Sequence, residues 1–174
     1  GGALDDRCGM AAILIALEKT DIPALGCGLT VVFASQEEVG MRGAECSAYD
    51  TDADIAIAVD VSFGLAKGEK KQKCGLMGKG VMIGYSPTLD RGISEKLTDI
   101  AESLSIPYQV EVMSSRTGTN ADKYGVSRGG ARTSTLSIPL RYMHTPSETI
   151  DLHDVVSAAE LISVYLKEDD LYGA

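Results

Sequence analysis

Five positions carry chemistry that their neighbours do not explain. Glu37 and Glu38 stand side by side after the apolar run Leu29–Phe33 and just before Gly40. At the end of a strand, adjacent side chains point in different directions. One carboxylate is then free to hold a metal ion while the other faces a water beside that ion. A metal-dependent hydrolase needs this division, one group for the Lewis acid and one for the proton. On its own the pair also fits a solvated turn, the usual place for carboxylates. Asp60 closes the apolar run Ile55–Val59, and a carboxylate at the end of a core strand is costly unless paired or bound to metal. Asp5 and Asp6 open a helical pattern. One of them suits a helix cap, which leaves the other for different work.

The chain has two histidines, His144 and His153. His144 lies in a loop before Pro146, whereas His153 sits in the first turn of the last helix and reads as structural. One histidine with several carboxylates and no cysteine pair describes a nitrogen–oxygen site, suited to zinc, cobalt or manganese. Cys8, Cys27, Cys46 and Cys74 are too widely spaced for a zinc knuckle. They read as reduced thiols of a cytoplasmic protein, with Cys8 a small core residue.

The elements that must position these groups follow from periodicity. A helix is predicted around Met10–Glu18, a strand at 29–34, a short helix at 40–48 and a buried strand at 54–61. The run 54–61 is almost continuously apolar, as in the interior of a parallel or mixed sheet. Then come a basic glycine-rich loop at 67–79 that is no P-loop, a short strand at 81–83, a helix at 92–104 and a strand at 108–112. A long loop at 114–130, a strand at 133–139, a helix at 152–166 and the acidic tail 168–170 complete the chain. This order predicts an α/β three-layer sandwich with a mixed, largely buried sheet flanked by helices. Ligand crevices in such sheets lie at the carboxyl ends of strands.

The 174 residues suffice for one domain, and 44% are apolar, which is globular composition. The formal net charge of −9 argues against a nucleic-acid partner. No run approaches the ~20 apolar residues of a membrane span. The chain shows no signal peptide and opens on Gly-Gly-Ala without an initiator Met, so it reads as the middle of something longer.

Four stretches in order carry a resemblance: Ala3-Leu4-Asp5-Asp6-Arg7-x-Gly9, Ser35-Gln36-Glu37-Glu38-Val39-Gly40-x-Arg42-Gly43-Ala44, Ala58-Val59-Asp60-Val61, and Arg141-Tyr142-Met143-His144-Thr145-Pro146-x-Glu148. Together they resemble the signatures of the TET-type dinuclear metallo-aminopeptidases, a family of glutamyl and deblocking aminopeptidases once partly labelled endoglucanases. The resemblance implies two divalent ions, zinc or cobalt with manganese as a further option, and a peptide substrate. It implies that Asp5 bridges the ions, that Glu38 and His144 complete one site, and that Asp60 serves the other. Glu37 would be the general base, with Asp6 and Arg7 in support. The polar loop Thr117–Asp122 resembles a family loop near the substrate, with Asn120 as a departure.

Relatives run roughly twice this length, with a catalytic segment upstream of the Asp-Asp-Arg motif, an inserted PDZ-like domain and assembly into a dodecamer. The upstream part carries a further histidine ligand, and no histidine precedes Asp5 here. Residues 1–174 are therefore expected to be a single catalytic-domain portion, truncated at its N-terminus. It would hold one three-ligand site (Asp5, Glu38, His144) and one weakened site (Asp5, Asp60). Two rival readings are a related dinuclear deacylase or carboxypeptidase, and a non-catalytic metal-binding or assembly fragment.

Overall fold

In the computed structural model, which describes residues 1–171, five strands form one mixed sheet flanked by helices. The elements are α1 (Leu4–Glu18), α2 (Arg42–Thr51), β1 (Ile55–Phe63), β2 (Val81–Tyr85), α3 (Arg91–Leu104), β3 (Tyr108–Val112), α4 (Ala121–Tyr124), β4 (Arg132–Arg141), β5 (Thr149–Ile150) and α5 (Leu152–Tyr165). The strands run β1-β4-β2-β3, with β5 on the end of β4. β1 lies parallel to β4 and β2 parallel to β3. The β2–β4 and β4–β5 pairs are antiparallel, so the sheet is mixed as predicted. No helix among the described residues is long and apolar enough to cross a membrane.

Alternation along β4 builds the layers. Leu136, Ile138 and Leu140 are fully buried and belong to one core with Ile93 and Leu97 of α3, Ala12 and Ala16 of α1, and Leu161 of α5. The other face carries Thr133, Thr135 and Ser137, also buried. There the small helix α4 packs against β4, and α2 stands beyond it with Ser47 hydrogen-bonded to Tyr124. Cys8 sits in the apolar core as expected, and all four cysteines are free.

The apolar run 29–34 departs from expectation: it is not a strand. Among the described residues no backbone hydrogen bond engages it, and Val31 and Phe33 are 37% and 47% exposed. An extended segment becomes a strand only when a neighbour takes its N–H and C=O groups. Here a groove of about 820 Å³ separates 29–34 from Ile55–Asp60, with Ile13 and Leu17 of α1 also lining it. β1 is in consequence an edge strand, not the interior strand its composition predicts. Ile55–Val59 are only partly buried, with Ile55, Ile57 and Val59 packed against the core. Amide hydrogen exchange should therefore be fast along 29–34 and slow along the centre of β4. Equal protection of both segments would contradict this layout.

Candidate metal centre

Three turns bring the predicted site residues together. In the first, Asp6 accepts a hydrogen bond from Gly9 N at 3.1 Å and so caps the body of α1, while Asp5 stays outside the helical conformation. Gly9 leaves room for this cap, because a Cβ there would press on the Asp6 carboxylate and displace it. The capping work expected of one aspartate thus falls to Asp6, and Asp5 is left to face the site.

The second turn carries the glutamates. Backbone bonds close it tightly: Gly40 N and Met41 N donate to Glu37 O (3.0 and 2.8 Å), and Gly43 N donates to Ser35 O at 2.9 Å. A Cβ at Gly43 would lie 2.5 Å from Ser35 O, so only glycine lets α2 start this close. Gln36 and Met41 adopt left-handed backbone at either side. The result fixes the direction of Glu37 and Glu38 although the segment before them is unpaired.

The third turn joins β4 to β5. Arg141 pairs with Thr149, and the connecting residues include Tyr142 and His144, both left-handed. Thr145 Oγ1 donates to Tyr142 O at 2.6 Å and tightens the turn. His144 projects from it with its imidazole 63% exposed.

His144 Nε2 lies 3.2 Å from Asp5 Oδ2 and 3.2 Å from Glu38 Oε2. One ligand atom from each of Asp5, Glu38 and His144 falls within 4.8 Å of the others. A single imidazole N–H cannot serve two carboxylates well. A cation between the three can: ligand atoms 2.0–2.1 Å from tetrahedral zinc stand about 3.3 Å apart. The donor set therefore fits one divalent ion. Asp60 is outside this set and lies within β1, which runs on to Phe63, so it does not close the strand as its sequence context predicts; its Oδ1 accepts from Val61 N at 2.8 Å. His153 stands apart at the start of α5 beside Asp151.

The electrostatics of the site call for positive charge. Burial raises the Asp5 carboxyl to about 6, and the nearby Glu38 charge adds to this, against a lowering by His144. Burial and then the Asp60 charge push Asp6 to about 8. Burial, only partly opposed by the Val61 N–H, pushes Asp60 to about 7, with Glu37, Asp5 and Glu38 adding to it. Glu37 is raised by burial and by Glu38. These acids hold protons in the folded chain at pH values where the unfolded chain, near 3.8 for aspartate, has lost them. Stability of the metal-free chain should therefore fall as pH rises from about 4 toward about 8. Melting temperatures in chelator at about pH 5 and about pH 8 check the sign; a higher value at the upper pH would contradict it. A divalent ion should reverse the trend, because its binding releases these protons.

An open mixed sheet with carboxylates and a histidine gathered at its loop ends defines an α/β domain with a candidate metal centre. The chain belongs to the M42 glutamyl aminopeptidase family, whose model matches residues 1–161. It is 32% identical over 165 residues to the lysyl aminopeptidase of Pyrococcus furiosus, covering 95% of this chain and 47% of that protein. Among solved structures it resembles aminopeptidase APDkam598 from the archaeon Desulfurococcus kamchatkensis, with a TM-score of 0.89 and 34% identity, over 97% of this chain and 49% of that one. It also resembles the Pyrococcus horikoshii TET1 peptidase, which can assemble into a tetrahedron or a large octahedral shell (TM-score 0.76, 30% identity, 95% and 48% coverage). The chain thus spans about half the length of the relatives it matches.

Proposed function

We propose that this chain carries the metal centre of a metal-dependent aminopeptidase that removes N-terminal residues from peptides. The observation that carries the reading is the convergence of Asp5, Glu38 and His144, from three separate turns, on one point. Asp5, Glu38 and His144 hold the tighter divalent ion, zinc or cobalt. A bound ion supplies a Lewis acid for the scissile carbonyl and lowers the pKa of an attacking water. A second, more weakly bound ion would be held by Asp5 and Asp60.

Glu37 is the general base. Its carboxylate takes a proton from the attacking water and delivers it to the departing amino nitrogen. Burial and the Glu38 charge raise its pKa toward the neutral range where such a relay works best. Asp6 caps α1 and holds Asp5 in register. The whole protein is read as cytoplasmic and, by analogy with the shell-forming relative, as a homo-oligomer. Residues 1–174 are read as one portion of its catalytic domain.

A chain that binds metal without hydrolysing peptides would instead be a non-catalytic metal-binding module. Hydrolysis assays on the zinc- or cobalt-loaded chain separate the readings. An aminopeptidase cleaves an amino-acid nitroanilide, spares N-acyl amino acids and stops when a chelator removes the ion. Cleavage of the N-acyl substrates instead would indicate a deacylase. No cleavage, with metal bound, would leave the binding module.

A further inference from the structure

Glu148 carries no role in the reading of the site so far, yet its carboxylate is the part of the molecule that joins two of the site's three turns. The residue is 3% exposed. Its Oε2 accepts from Leu4 N at 2.7 Å and from Asp5 N at 3.2 Å. Its Oε1 accepts from His144 N at 3.1 Å. Its own N–H donates to Gly1 O at 2.8 Å, so the main chain of 148 runs beside the first residues as well. Residues more than a hundred positions apart in sequence are thus tied to one side chain, and two of them are the proposed ligands Asp5 and His144.

The backbone on both sides of the carboxylate is unfavourable without it. Ala3, Tyr142 and His144 are all left-handed, a conformation that residues with a Cβ adopt only when their surroundings impose it. A buried carboxylate is equally costly unless its oxygens are filled. Three backbone N–H groups fill them, and bonds to a charged acceptor are the stronger kind. Each part therefore stabilises the other, and the outcome is a fixed spacing between Asp5 and His144.

We propose that Glu148 is the positioning residue of the metal centre: its buried carboxylate sets the separation of Asp5 and His144 by clamping the backbone of both. It does not contact the ion. The proposal rests on the reading that Asp5, Glu38 and His144 bind a divalent cation. It assigns part of the site's affinity to a residue that contributes no ligand atom.

The test uses the full chain, the variant Glu148→Gln, and zinc or cobalt as the probe. The amide keeps the size of the side chain but turns one acceptor into a donor facing backbone N–H groups. Affinity for zinc by calorimetric titration is expected to fall about 10- to 100-fold, as for loss of other outer partners of metal ligands. The absorption spectrum of the cobalt-loaded variant should change in shape, because the ligand geometry changes. A merely structural role would lower the melting temperature of the metal-free chain while leaving zinc affinity and the cobalt spectrum of the folded fraction unaltered; that result overturns the proposal. If the variant does not fold, amide exchange of the unaltered chain decides. Leu4, Asp5 and His144 amides must be protected, and rapid exchange at all three overturns the clamp. Failure of the unaltered chain to bind zinc or cobalt defeats the metal-site reading itself and the proposal with it. Binding by the unaltered chain with equal affinity in Glu148→Gln defeats the clamp alone.

Discussion

His144→Ala is expected to abolish tight metal binding while leaving the fold in place. The imidazole is the one nitrogen donor in the cluster, and it lies 3.2 Å from each of the two carboxylates. Its removal leaves two like charges with no neutral partner, at a position where burial already raises Asp5. Loss of a partner outside the ligand set typically costs about 10- to 100-fold in affinity, so loss of a ligand should exceed about 100-fold. The side chain is 63% exposed and its truncation opens no core cavity. The melting temperature of the metal-free chain should therefore change little. Zinc titration of the variant checks this; undiminished affinity would remove His144 from the site.

Glu37→Gln is expected to separate binding from catalysis. The amide is close in size to the carboxylate but accepts no proton from water. Turnover of an amino-acid nitroanilide by the metal-loaded chain should fall about 10²- to 10⁴-fold, the usual worth of a positioned general base. Zinc affinity should stay within a few-fold, because Glu37 lies outside the three-residue cluster. KM should follow affinity and stay near its starting value. Retained turnover would assign the proton transfer to another group, such as Asp60, whose carboxyl burial raises to about 7 and which feels the Glu37 charge. Lost zinc affinity would make Glu37 a ligand.

The sequence disclosed the elements and the reactive residues better than it disclosed how strands pair. Helices α3 and α5 carry apolar residues at helical spacing and lie where the pattern predicts them. The mixed character of the sheet followed from element order. The segment 29–34 did not behave as its composition predicts, because a strand is defined by a partner and composition says nothing about which partner is present. The same holds for β1: Ile55, Ile57 and Val59 mark a strand that suits burial on both faces, yet its outer edge is open. β5 is two residues long and α4 four, too short for any period to register.

The grouping of Asp5, Glu38 and His144 was legible for a different reason. Asp5, Glu37, Glu38 and His144 sit in turns whose glycines and polar neighbours are local signals, and their types limit the chemistry. What local pattern could not disclose was the burial of Glu148. A glutamate in a polar loop reads as solvated, and only the fold shows three backbone N–H groups turned onto it. The preference of buried carboxylates for backbone donors would have been the signal, had the pairing of residues 1–5 with 144–148 been known.

Metal stoichiometry tests the central claim most directly. The chain is stripped with chelator, then titrated with zinc and with cobalt, and bound metal is counted per chain. One tightly bound ion per chain is expected, held by Asp5, Glu38 and His144, with any second ion markedly weaker. Either no tight ion, or two of equal affinity, would contradict a site built from these three residues.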